Sequence, residues 1–151
     1  MNAFTLTPGS VNIRFGAGSV AQLPEVVAGL NKKKVFIVTD PGVAAAGVLA
    51  KVEAILASAG IETASYTDIK PNPTTTLIDA AAKVGVSFGA DCIVALGGGS
   101  SLDSSKGIAL VVANPTFSSA KFDYSITPDR PALPIIAIPT TSGTGSETNN
   151  W

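Results

Sequence analysis

The chain has 151 residues, 10 Lys plus Arg against 11 Asp plus Glu, a formal net charge of -1 and a pI near 5.2. That length fits one domain able to bury roughly 68–70% of the surface its unfolded chain exposes, so a core needs neither disulfides nor metal. With no basic cluster beyond Lys32 to Lys34 and no apolar run near the ~18 residues of a spanning helix, nucleic acid and membrane are excluded as expected partners. Charged residues are only 14%, against about 25% for an average soluble domain, and mean hydropathy is +0.39, which leads us to expect a covered surface. The opening MNAFTLTPGS lacks a basic region followed by an apolar one, so a cytoplasmic setting is the expectation. The single cysteine, Cys92, stands in the apolar run DCIVAL and reads as a small buried hydrophobe. Histidine is absent, which removes the commonest general base and metal ligand.

β-Branched runs alternate with Ala-rich amphipathic ones, the pattern of stacked βα units and hence of an α/β fold with a largely parallel sheet flanked by helices. Val11, Ile13 and Phe15 alternate with polar neighbours and give a half-buried first strand. Ser19 is placed to cap a helix whose apolar face is Val20, Leu23, Val26, Val27 and Leu30, ending at Asn31 and the lysines. Val35 to Val38 is a short apolar run suited to a central strand, ending at Asp40. Val48, Val52, Ile55, Leu56 and Ala59 form the next helical stripe, closed by Gly60, and a strand follows near Ile61 to Tyr66. Pro71-Asn72-Pro73 is a rigid turn, and Thr74 caps a helix carrying Leu77, Ile78, Ala81 and Val84. Cys92 to Leu96 is a buried strand broken by Gly97-Gly98-Gly99, a helix runs from about Ser101 to Val112, and Ile135 to Ile138 is the last strand. Beyond Pro139 the sequence TTSGTGSETNNW has no closing element, and a terminal Trp leads us to expect a fragment whose remainder packs against this piece.

Two glycine motifs compete for a phosphate-binding role. Gly16-Ala17-Gly18-Ser19-Val20-Ala21 matches G-x-G-x-x-A between a strand and a helix, with Asp40 about 20 residues on, yet so short a pattern also arises wherever a tight turn joins two elements. Gly97-Gly98-Gly99-Ser100 follows the strongest buried strand. Without Cβ atoms its backbone can approach a phosphate closely, while the next helix presents free N–H groups and a positive dipole end. Ser100 with Asp103 also fits a capping box, which would leave a well-capped helix with or without a ligand, and Lys106 can offset the Asp103 charge. No Walker lysine follows the glycines. Asp40 stands at a strand's carboxyl end, where its carboxylate can accept from ribose hydroxyls and repel a 2′-phosphate, or else cap a helix opening at Pro41. Thr140, Thr141 and Thr144 belong to a second polar loop at a strand end, suited to a ribose or phosphate or to ordinary turn chemistry.

GGGSSLDSSK at 97 to 106, PNPT at 71 to 74 and IPTTSGTGSE at 138 to 147 together resemble the iron-activated, group III alcohol dehydrogenases over essentially the whole chain. The resemblance implies a Rossmann-like, dehydroquinate synthase-like N-terminal domain over residues 1–151 that binds NAD, or less readily NADP. It further implies a helical catalytic domain, absent here, that holds iron or zinc through one Asp and three His. Carried over by position, Gly98, Gly99 and Ser100 hold the pyrophosphate, with Gly97 in the same bend and Asp103 as the motif's acid. Asp40 faces the adenosine ribose, Asn72 lines the cofactor cleft, and Thr140, Thr141 and Thr144 contact the nucleotide. The Gly16 to Ala21 match becomes only the turn into the first helix. One departure is Ser101, where the family often has Pro. The implied activity is hydride transfer between a nicotinamide and a small primary alcohol or aldehyde, with little turnover expected of this piece alone. Low charge suggests a homo-oligomer or domain partner. A stand-alone nucleotide-binding or interaction module is the rival class. Glycerol dehydrogenases and dehydroquinate synthases share a related glycine loop, but the TTSGTGSE stretch favours the alcohol dehydrogenases.

Overall fold

The computed structural model describes residues 11–121 and 128–149, together with the backbone pairing of residues 4–6; the expectation placed on Trp151 lies outside the described residues. Strands β1 (Phe4–Leu6) and β2 (Ile13–Phe15) form a separate antiparallel pair, with Phe4 opposite Phe15. The expected first strand is therefore real but lies outside the main sheet. Period-two alternation marks a strand and says nothing about its partner.

The expected Ser19 cap is corrected. Residues Ser19–Gln22 form a single 3-10 turn entered through Gly18 at φ 77, and no side chain caps it. Helix α1 begins only at Leu23 and runs to Gly29, with Pro24 in its first turn. A proline has no N–H and its ring collides with the preceding turn, so an α-helix can open at Pro24 but cannot run through it.

The main sheet has four parallel strands: β3 (Lys34–Val38), β4 (Glu62–Tyr66), β5 (Cys92–Gly97) and β6 (Ile135–Pro139), in the order β4-β3-β5-β6. Val35 pairs with Cys92 and Val38 with Ala95, while Leu96 pairs with Ile138. Alternation along β3 sends its side chains to two faces. Val35 and Ile37 pack with Leu23 and Val27 of α1 and with Val52 and Leu56 of α3 (Val48–Ser58). Phe36 and Val38 pack with Ala81 and Ala82 of α4 (Thr75–Phe88) and with Ile108 and Ala109 of α5 (Gly99–Ala113). Helices thus cover both faces, and each fully buried Ile or Leu contributes about 1.5–3 kcal/mol relative to exposure. Among the described residues no helix is long and apolar enough to cross a membrane.

The local signals explain the boundaries. Thr74 Oγ1 accepts from Leu77 N at 3.3 Å and starts α4. Gly60 adopts φ 71 just past α3, where a side chain would be strained. A short helix, α2 (Pro41–Ala45), follows β3 directly, as the capping alternative for Asp40 requires. Along the outer side of β6, Phe15, Val20, Leu30, Ile136 and Ile138 line an apolar groove of about 1010 Å³ shared with the 3-10 turn and α1.

Candidate functional site

The chain leaves β3 toward β4 on one side and β5 toward β6 on the other, so the connections diverge between β3 and β5. In open parallel sheets the crevice beyond the carboxyl ends at such a reversal is where ligands lie. Here that crevice is a cleft of about 550 Å³, bounded by Asp40 to Val43 at the start of α2, by Ile69 to Pro71, by Gly98 to Ser101 and by Thr140 and Thr141.

Gly97 ends β5 at φ 147, a backbone region closed to residues with side chains. A Cβ there would stand 2.7 Å from Ser101 Oγ and 3.1 Å from Asp40 Oδ2. Gly98 is the N-cap of α5 and no side chain caps the helix. The expected capping box is corrected accordingly: Ser100 lies inside the first turn, and the Asp103 carboxylate is engaged elsewhere. The initial N–H groups of a helix have no intrahelical acceptor. At α5 they open on the cleft beside a backbone stripped of Cβ atoms, which is a cradle for an anion.

Asp40 is the N-cap of α2, its Oδ1 accepting from Val43 N at 3.0 Å. Its other oxygen accepts from Ser101 Oγ at 3.4 Å. The capping reading is therefore realised, and Oδ2, which accepts from Ser101, stands beside the glycine bend. Asp103 sits one turn into α5, where Oδ1 accepts from Lys106 Nζ at 2.9 Å and Oδ2 from Ser146 Oγ at 3.1 Å. Lys106 thus offsets the Asp103 charge, as its spacing suggests.

The second loop lies directly on the bend. Thr140 N donates to Gly97 O at 2.9 Å. Cβ atoms at Gly98 and Gly99 would stand 3.3 Å from Thr141 Oγ1 and 3.3 Å from Ser146 Oγ, and the latter also 3.4 Å from Thr144 Cγ2. The fold brings together Asp40, Gly97, Gly98, Gly99, Ser100, Thr140 and Thr141, with Thr144 and Asp103 just behind. Asn72 is exposed at φ 53, next to Pro71 on the rim and outside the cleft's lining. Gly16 and Gly18 lie at the separate hairpin and line the apolar groove or its turn. Since β2 is not a strand of the parallel sheet, that motif lacks the strand its dinucleotide reading requires.

Sequence reasoning missed Val43, Ala46, Val48 and Ile69, which line the cleft with apolar side chains, and Lys70, its one basic lining residue among the described residues. A one-turn helix carries no periodicity to announce them. Ser146, buried at 4% exposure, was also missed, since its partner lies 43 residues away.

Cys92 is fully buried, and desolvation, helped by the Asp91 charge, pushes its thiol up to about 12. No group of three or more His, Cys, Asp or Glu is arranged to hold a metal ion among the described residues, and the sequence contains no histidine. These residues do not fit a catalytic metal centre.

The sequence model for "Iron-containing alcohol dehydrogenase" matches residues 10–151. Lactaldehyde reductase of Escherichia coli K12 is 39% identical over 134 residues, covering 88% of this chain and 35% of that protein. Sulfoacetaldehyde reductase of Bilophila wadsworthia is 39% identical over 135 residues, 89% of this chain and 35% of that protein. Among solved structures, sulfoacetaldehyde reductase from Bifidobacterium kashiwanohense in complex with NAD+ superposes with a TM-score of 0.79 at 31% identity, over 87% of this chain and 35% of that one. An archaeal halo-thermophilic Red Sea brine pool alcohol dehydrogenase gives 0.77 at 38% identity, over 85% and 34%. The chain spans about a third of the length of these relatives. By sequence match and by fold, this chain belongs to the iron-containing alcohol dehydrogenase family.

Proposed function

We propose that residues 1–151 are the nucleotide-binding part of an oxidoreductase that moves a hydride between NAD(H) and a small primary alcohol or aldehyde. The observation that carries this reading is the uncapped N-terminus of α5 opening, across a bend of three glycines, on the cleft where the sheet's connections diverge. In this reading the amides of Gly98 to Ser101 hold the dinucleotide's diphosphate. Asp40 accepts from the adenosine ribose and disfavours a 2′-phosphate, so NAD is preferred to NADP. Thr140, Thr141 and Thr144 close over the phosphates, and Asn72 meets the nucleotide at the rim. The NAD+ complex of the Bifidobacterium relative supports the choice of ligand.

When bound, the nicotinamide supplies the hydride acceptor or donor. These residues supply binding and orientation. The iron of the family name, or zinc in its place, belongs in our reading to a following helical domain, along with the choice of alcohol. The reading carries a cytoplasmic setting. It also carries a partner, a second copy or the remaining domain, over the apolar groove beside β6; the low charge and exposed Phe15, Val20 and Leu30 support this.

Calorimetric titration of the purified chain with NAD+ and NADP+, beside an alcohol-oxidation assay, tests the proposal. We expect NAD+ to bind more tightly than NADP+ and turnover to be absent. Heat of binding for neither dinucleotide, or oxidation at rates typical of enzymes, contradicts it.

A further inference from the structure

The acid of the glycine motif is spoken for within the chain. Asp103 carries one carboxylate oxygen to Lys106 Nζ at 2.9 Å and the other to Ser146 Oγ at 3.1 Å. Lys106 Nζ also donates to Asn149 Oδ1. Ser146 is buried, while Thr140 to Thr144 on the same loop are exposed. The loop is thus pinned at its far end to α5 and at its near end to β5, where Thr140 N donates to Gly97 O.

Between these two pins the loop rests on the bend itself. Thr141 lies over Gly98, and Thr144 and Ser146 over Gly99, each within 3.3 to 3.4 Å of where a Cβ would stand. The glycines therefore serve two close approaches, a ligand's from the cleft and the loop's from above. We propose that Asp103 and Ser146 are positioning residues: their hydrogen bond latches the Thr140 to Asn149 loop over the glycine bend and so sets the affinity for the dinucleotide, without Asp103 touching the cofactor. This rests on the nucleotide-binding reading above.

Two physical points favour a latch over a direct contact. A carboxylate facing a diphosphate would repel it, whereas one compensated by an ammonium at 2.9 Å and turned toward a serine hydroxyl does not. A hydrogen bond to a charged acceptor is also among the stronger ones available to hold a polar loop that buries little apolar surface.

The test uses the full 151-residue chain with NAD+ titrated by calorimetry and with amide hydrogen exchange measured without ligand. Ser146→Ala and Asp103→Ala are each expected to weaken NAD+ binding about tenfold and to speed exchange across residues 140–149, with β3 and β5 unaffected. The double variant should be no worse than Asp103→Ala alone, because the bond that Ser146→Ala removes is already gone there. Asp103→Asn keeps an oxygen that can accept from Ser146 and should recover most of the affinity and the protection. The latch is overturned if Ser146→Ala leaves loop exchange unchanged. It is also overturned if Ser146→Ala leaves affinity unchanged while Asp103→Asn is as damaging as Asp103→Ala, since the carboxylate would then act on the ligand directly. Failure of the unaltered chain to bind NAD+ sinks the nucleotide-binding reading and, with it, the affinity role. The exchange data then still decide whether the latch holds the loop.

Discussion

Ser101 donates its hydroxyl to Asp40 Oδ2 at 3.4 Å, joining two residues 61 positions apart across the open end of the sheet. The contact passes over Gly97, where a Cβ would stand 2.8 Å from Ser101 Cβ and 3.1 Å from the carboxylate. The glycine is thus what lets the end of β3 and the start of α5 approach each other.

Asp40 caps α2 and, in the proposed reading, faces the adenosine ribose, two roles that substitution can separate. Asp40→Asn keeps a side-chain oxygen for Val43 N, so urea denaturation should show near-normal stability, while its preference for NAD+ over NADP+ narrows because the charge is gone. Asp40→Ala should lose that preference and about 1 kcal/mol of stability as well, the typical cost of a lost helix cap. Equal stability of the two variants would show that the cap contributes nothing.

Gly97→Ala and Gly89→Ala differ in a way the structure explains. Both glycines have positive φ, 147 and 74, but a Cβ at Gly89 meets nothing within 4 Å. We expect Gly89→Ala to cost roughly 1 kcal/mol through backbone strain alone. Gly97→Ala should cost more, because strain of about 1–3 kcal/mol is joined by collision with Ser101. Denaturation midpoints in the reverse order would refute this.

Asp79 ties α4 to the segment after α5, accepting from Ser118 Oγ and Ser119 N, both at 2.7 Å. Burial pushes its carboxyl up, but these hydrogen bonds, aided by the Lys83 charge, outweigh it and hold the carboxyl below its ordinary value of 3.8. A carboxyl depressed by folding adds stability above its unfolded value and loses it as pH falls through the folded one. Asp79→Asn should therefore destabilise the protein at neutral pH, and the deficit should shrink as pH drops below about 4. A deficit that grows in acid would contradict the assignment.

Much of the fold is legible in the sequence where one local signal suffices. Val35 to Val38 and Cys92 to Leu96 read as central strands because every residue is apolar, and both are buried on two faces. Thr74 reads as a cap and is one. The Ser19 helix fails because Pro24 overrides an apolar stripe that spans it, and Val20 of that stripe is left exposed. The Asp103 to Ser146 bond is set by a partner 43 residues away, which no local pattern encodes. The glycine bend after β5 is legible in the sequence, but the contact of the second loop upon it is not.

Cys92 should be inert in the native state. With the thiol pushed up to about 12 and its side chain fully buried, iodoacetamide at pH 8 should label it only after denaturation. Rapid labelling of the folded chain would show that β5 opens readily.

The most direct measurement is the response of backbone amide resonances to NAD+ in the 15N-labelled chain. We expect the largest shifts at Gly98, Gly99, Ser100 and Ser101, with smaller ones at Thr140 and Thr141 and near silence at Gly16 to Ser19. Shifts centred on Gly16 to Ser19, with the bend after β5 unmoved, would contradict this.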